Sequence, residues 1–150
     1  MTDWKLPIEG SCRCGEVRLR MSAPPMITMA CHCAGCQKMT SSAFSLSAAF
    51  PTEAFEVVSG ETVLGGLKRE IKHFFCPSCM SWMFSRMDGL EWFTNVRTTM
   101  LDDPARFAPF VETWTDEKLP FAEAGAAKSY PQFPPMEEFE PLMKAFSERA

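Results

Sequence analysis

Several features that would assign this chain at a glance are missing from it. There is no basic excess: 15 lysines and arginines stand against 19 acidic residues, a net charge of −4. That balance argues against the broadly basic surface that general nucleic-acid binding needs. No apolar run approaches the ~18 residues that mark a membrane span. The opening residues, 1–5, lack the charged-then-apolar plan of a signal peptide. No low-complexity segment interrupts the chain, and no repeat is found beyond two Cys-x-Cys pairs. A cytoplasmic, reducing setting is expected from these absences. The hydrophobic fraction of 46% and charged fraction of 23% are those of a folded domain, so disorder is not expected. A single domain over 1–150 is expected, because a chain of this length buries roughly 68–70% of its unfolded surface.

A last absence concerns cysteine. None of the seven lies outside a short motif. Cys12 and Cys14 form one pair, Cys76 and Cys79 another, and Cys31, Cys33 and Cys36 fall within six residues. In a reducing compartment such clusters bind metal or do redox work more often than they form disulfides. The odd count points the same way, since disulfides alone would leave one thiol over.

The remaining pattern is that of short strands. Residues 4–22 suggest two strands around a turn at Cys12–Gly15, with Val17, Leu19 and Met21 alternating against Glu16, Arg18 and Arg20. Strands are also expected over 26–31, 43–50, 55–58, 62–64, 70–75, 82–84, 91–96 and 110–114, with one helical turn over 34–39. In the strand at 43–50, Phe44, Leu46, Ala48 and Phe50 fall on one side and Ser45 and Ser47 on the other. Turn signals every 8–12 residues favour an antiparallel β fold over a βαβ one. Prolines then recur from residue 104 onward. A short helix is expected from Pro120 to residue 127. Met136, Phe139, Leu142, Met143 and Phe146 keep helical spacing, and Pro141 sets the helix start or a kink. The segment 136–150 is expected to pack on the sheet as a helical tail.

Spacing gives the cysteines a division of labour. Residues i and i+2 of a strand share a face, so each Cys-x-Cys pair can aim two sulfurs at one ion, and Cys76-x-x-Cys79 is the tight-turn form of the same chelate. Zinc suits such thiolates in a tetrahedral arrangement. Seven ligands fill one tetrahedron and leave a second one short. The local triplet Cys31, Cys33 and Cys36 can form a three-point chelate unaided, which leaves Cys12, Cys14, Cys76 and Cys79 as a closed site. Other divisions split the triplet across the fold. Four protein ligands make a structural zinc, and three with an open position make a catalytic one. A redox pair at Cys33 and Cys36, or an inert cluster, remains open for the triplet.

Residues 10–17 (GSCRCGEV), 31–38 (CHCAGCQK), 42–44 (SAF), 75–79 (FCPSC) with Ser81, 101–104 (LDDP), 118–122 (KLPFA) and 130–133 (YPQF) are together distinctive. They resemble the glutathione-dependent formaldehyde-activating enzyme family, also called the CENP-V/GFA family. The likeness covers nearly the whole chain to about residue 135. It implies a mainly β, Mss4-like β-tent of short antiparallel strands held by zinc, with short helices toward the C-terminus. It implies two zinc ions, a structural one on Cys12, Cys14, Cys76 and Cys79 and a catalytic one on Cys31, Cys33 and Cys36. It also implies a carbon–sulfur lyase-type activity like that of S-(hydroxymethyl)glutathione synthase, adding glutathione or another small thiol to formaldehyde or another small aldehyde. The alternative is a non-catalytic, zinc-stabilised binding module, since the Mss4-like fold also serves protein partners. Neither reading calls for nucleic acid or a membrane, and neither sets the oligomeric state.

The chain departs from the family pattern at Ser41, Met80 and Thr99, where glycine is frequent, and at Phe121, where tryptophan is usual. Met80 follows a zinc-knuckle cysteine, a place that often needs positive φ, so the turn is expected to differ locally. His32 lies between two ligands, and strand alternation points it away from the metal. His73 is expected to be packed or exposed rather than a ligand. Lys38, Arg69, Arg86 and Arg97 are candidates for substrate carboxylates, with solvated surface charge as the expectation for each.

Overall fold

The computed structural model describes residues 3–149. Residues 1, 2 and 150, at the ends of the opening stretch and of the C-terminal tail, lie outside it. In chain order the strands are β1 (Ile8–Ser11), β2 (Arg18–Met21), β3 (Ile27–Cys31), β4 (Ser45–Pro51), β5 (Phe55–Ser59), β6 (Val63–Gly65), β7 (Ile71–Phe75), β8 (Trp82–Met87), β9 (Phe93–Arg97), β10 (Val111–Thr113) and β11 (Lys128–Ser129). Two α-helices join them, α1 (Ala34–Thr40) and α2 (Met136–Glu148). The protein is mainly β, as expected. None of the described helices is long and apolar enough to cross a membrane.

The strands form two sheets. The smaller has the order β1-β2-β5, and the larger runs β11-β10-β3-β4-β9-β8-β7-β6. In β2 the alternation holds: Leu19 and Met21 are fully buried while Arg18 and Arg20 face water. Ala48, Phe50, Phe84 and Val96 of the large sheet pack against Ile8, Leu19 and Met21 of the small one. This is the main core, and it occupies one face of the large sheet.

The other face matters more for chemistry. Cross-strand neighbours in an antiparallel pair share a face. Cys31 opposes Ser45, Ser47 opposes Arg97, and Asn95 opposes Ser85. This outer face is apolar at one end, where Ile27, Ala49 and Val111 receive Leu142 and Phe146 of α2. At the other end it is polar, and there α1 packs against β4. One face thus carries a packed helix and, further along the same strands, a cluster of thiols and hydroxyls.

Two local expectations are corrected, and of the two alternatives for Pro141 the helix start is set aside. β10 pairs in parallel with both β3 and β11, so the large sheet is mixed rather than purely antiparallel. No helix forms over 120–127: Gly125 takes φ +71°, and the amides of Ala127 and Lys128 donate to the Phe110 carbonyl instead. α2 begins at Met136 and contains Pro141. Glu137 and Glu138 in its first turn favour the helix N-terminus. Burial of Leu142 and Phe146 offsets the hydrogen bond that the proline removes, at roughly 1.5–3 kcal/mol per side chain.

Phe146 is 1% exposed. Phe146→Ala is expected to cost about 3–5 kcal/mol of unfolding free energy. Urea denaturation of the metal-loaded protein checks this; a loss below about 1 kcal/mol would mean that α2 contributes little to the fold.

Candidate metal centre

Two turns bring four cysteines to the seam between the sheets. In the first, after β1, the Cys12 amide donates to the Val17 carbonyl (3.0 Å) and the Gly15 amide to Cys12 (3.1 Å). In the second, before β8, the Met80 amide donates to the Cys76 carbonyl (2.9 Å) and the Cys76 amide to Ser81 (3.0 Å). The turns are laced together: the Arg13 amide donates to Ser81 Oγ (3.2 Å) and Ser78 Oγ donates to Glu16 Oε2 (2.8 Å).

Sγ of Cys12 lies 3.6 Å from Sγ of Cys14, which lies 3.8 Å from Sγ of Cys76. All four sulfurs, with Cys79, fall within 4.8 Å of one another. A tetrahedral zinc with bonds near ~2.3 Å sets sulfur–sulfur edges near ~3.8 Å. The spacing therefore fits a four-thiolate ion, and it is far beyond the ~2.05 Å of a disulfide. The Val17 amide donates to Cys12 Sγ (3.3 Å) and the Cys79 amide to Cys76 Sγ (3.5 Å), bonds that favour sulfur carrying negative charge.

Met80 does not alter its turn. It adopts φ +58°, and Ser41 adopts φ +53° as the C-cap of α1. Both turns keep a left-handed residue without glycine, contrary to the expectation for Met80. Thr99 lies in a 3-10 turn, Thr98–Met100, and Phe121 is exposed.

The second cluster is built from fewer residues. Cys31 ends β3, Cys33 caps α1, and Cys36 sits in the helix's first turn, where its amide donates to Cys33 Sγ (3.3 Å). Gln37 anchors this corner by donating to the carbonyls of His32 (2.8 Å) and Glu117 (3.0 Å). The three sulfurs lie within 4.8 Å of one another, and among the described residues no fourth Cys, His, Asp or Glu joins them. Hydroxyls border the group: Ser45 eases charge on the Cys36 thiol and Thr113 on the Cys31 thiol, each against a net upward shift. The bare thiols resist sharing charge. Cys31, then Cys36, donate to Cys33 and pull its thiol down to about 2, while the Cys36 thiol is pushed up by the same neighbours, Cys31 foremost. One negative charge is accommodated without a cation; three need one. Both donor sets fit zinc.

The other candidates divide. His32 is fully buried on the face opposite Cys31. Its Nε2–H donates to Glu112 Oε1 (2.7 Å), whose second oxygen accepts from Ser129 (2.8 Å). His73 stands on the outer face, half-buried, with Nδ1 2.7 Å from Ser85 Oγ. Burial, then the charge of Arg97, pull its imidazole down to about 4. Lys38 and Arg69 are exposed, as expected. Arg86 and Arg97 are not. Arg86 packs over the rings of Phe55 and Phe84, and Arg97 is 8% exposed and lies 4.0 Å from the Trp82 ring centre. Sequence reasoning placed Arg97 on the surface. The alternation that put Ser45 and Ser47 on one side of β4 was the signal that a polar face existed there.

Residues 7–117 match the family model for the glutathione-dependent formaldehyde-activating enzyme. No curated protein matches the chain. Among solved structures, the crystal structure of a Rhodobacter sphaeroides protein aligns with a TM-score of 0.53 at 21% identity, covering 63% of this chain and 87% of that one. At that identity the likeness is one of fold.

Two outcomes are expected. Met80→Gly removes a left-handed methionine that is 57% exposed, and it should stabilise the metal-loaded protein by about 1 kcal/mol in chemical denaturation; a lower midpoint would mean that the side chain packs usefully. Cys76→Ser should abolish cooperative unfolding, because a closed thiolate site contributes ~10–16 kcal/mol of apparent binding energy. Cys36→Ser should leave unfolding cooperative, and circular dichroism melts compare the two.

Proposed function

The chain belongs to the glutathione-dependent formaldehyde-activating enzyme family, and on that premise we propose that it adds a thiol, glutathione or a similar small one, to formaldehyde or another small aldehyde. The observation that carries this reading is the difference between the two clusters: four sulfurs converge in one and three in the other. A three-ligand zinc keeps a position for substrate, which is the catalytic pattern. In this reading Cys12, Cys14, Cys76 and Cys79 hold the structural ion, and Cys31, Cys33 and Cys36 hold the working one.

Zinc bound to the triplet would supply the positive charge that makes a substrate thiol a thiolate at neutral pH. The chain's own residues do the rest. Cys31, Cys33 and Cys36 fix where the sulfur sits, and the Ser45 and Thr113 hydroxyls stand on the strands opposite Cys31, beside the thiols. A shallow hollow of about 500 Å³ runs along the same helix, lined by Gln37, Lys38, Ser42 and Phe121 among others. It suits a peptide-like thiol, with the Lys38 ammonium for a carboxylate and Phe121 for an apolar edge. The substrate S–H loses its proton, sulfur forms a bond to the carbonyl carbon, the carbonyl π pair moves to oxygen, and that oxygen takes a proton. The product is a hydroxymethyl thioether for formaldehyde, and the reverse step breaks the carbon–sulfur bond, as a lyase does. Holding both reactants together adds a proximity gain. The reaction belongs in a reducing compartment, where the thiols stay unoxidised.

Thiols add to formaldehyde unaided, so the test must compare rates. NMR exchange spectroscopy of glutathione, formaldehyde and their adduct should show faster exchange with the native protein than with Cys33→Ala. Equal rates would sink the enzymatic reading and leave a zinc-stabilised binding module.

A further inference from the structure

Arg97 is anomalous. Among the described residues it is the one lysine or arginine in the buried class, and no carboxylate there lies within ion-pairing distance of it. Its Nε is buried without a hydrogen-bond partner. A buried, unpaired cation costs several kcal/mol, so such groups are normally matched by an opposite charge. Its face of the sheet includes groups able to carry that charge, the thiols of the inner cluster: Cys31 ends β3, and Cys33 and Cys36 stand at the start of α1, which packs against β4. The strand register explains this. Cys31 opposes Ser45 on β4, and Ser47, two residues along on the same face, opposes Arg97 on β9. β9 is therefore two strands from β3, roughly 10 Å at usual sheet spacing. The guanidinium lies over the ring of Trp82 on β8, 4.0 Å from its centre, and Trp82 Nε1–H is itself anchored on Ser85 Oγ (3.0 Å).

We propose that Arg97 is the counter-charge of the three-thiolate site: it balances the net negative charge that a dication and three thiolates leave, and so favours an anionic fourth ligand over a neutral one. This rests on reading Cys31, Cys33 and Cys36 as a metal site open to a fourth ligand, and not on which thiol or aldehyde is used. Among the described residues no buried lysine or arginine stands at the outer cluster, which is exposed at Cys14, where water screens charge. The inner cluster is half-buried and borders the low-dielectric sheet, where a fixed charge acts more strongly. With Arg97 the loaded site is neutral overall, so an incoming thiolate meets no net repulsion. Arginine suits this place better than lysine because its planar group stacks on an indole while remaining charged.

The test uses protein with zinc in the outer cluster and cobalt(II) in the inner one. Azide, an anion, and imidazole, a neutral ligand, are titrated while the visible cobalt bands are followed. Arg97→Met should weaken azide binding roughly 10-fold or more and imidazole binding by less than about threefold, as expected for removing one nearby charge. Arg97→Lys should restore most of the azide affinity, which a purely structural role would not produce. If Arg97→Met does not retain the outer zinc, Arg97→Gln makes the same comparison. Equal losses for both ligands, no loss for either, or a lysine variant no better than the uncharged one would overturn the proposal. If the native inner cluster takes up no cobalt, or its spectrum responds to neither ligand, the open-metal reading fails first and the proposal with it.

Discussion

Four thiols gathered within 4.8 Å of one another, with Cys14 3.6 Å from Cys12 and 3.8 Å from Cys76, set the terms for the rest of the fold at the seam of two sheets. Such a group is stable only around a cation, since thiolates at that distance repel and thiols gain little from each other. The two contributing turns are more than sixty residues apart in the chain, so whatever holds the sulfurs also holds the β1–β2 hairpin against β7 and β8. The core between the sheets starts beside this point: Cys12 and Cys76 are both buried in it, next to Val17, Leu19 and Met83. Packing and coordination therefore support each other, and the small sheet gains an anchor it could not build from three short strands.

With folding anchored there, the other cluster is free to be incomplete. Its three sulfurs come from one corner, the end of β3 and the first turn of α1, and they join no distant segments. Losing an ion from such a corner need not unfold the chain. In the proposed reading, that separation would let one site exchange its ion while its neighbour stays fixed. The polar end of the outer sheet face serves the exchangeable site. Ser45 and Thr113 stand directly opposite Cys31 on the two flanking strands, Arg97 lies on the same face one strand further on, and α2 covers the apolar end of that face.

Much of this was legible in the sequence because it is local. Cysteine spacing separates into a four and a three by counting, and the alternation of Val17, Leu19 and Met21, or of Ser45 and Ser47 against Ala48 and Phe50, fixes strand faces without knowledge of partners. What was not legible depends on partners. The parallel pairing of β10 is set by where the 98–110 segment returns, which no period-two pattern encodes. Pro141 reads as a helix start or a kink, and the start is set aside only once Leu142 and Phe146 are seen to bury on β3 and β10. Arg97 reads as surface charge because, in β9 alone, nothing says that its face lies beside thiols two strands away. Met80 is a different case: the hydrogen bonds of its turn, from the Met80 amide to Cys76 and from the Cys76 amide to Ser81, hold a backbone conformation that methionine otherwise avoids.

The most direct measurement of the central claim is zinc content per chain, taken from protein purified under reducing conditions before and after a mild chelator. The account requires two ions, one removed with the fold intact and one retained until the protein unfolds. A single ion, or two that leave together as the fold is lost, would contradict it.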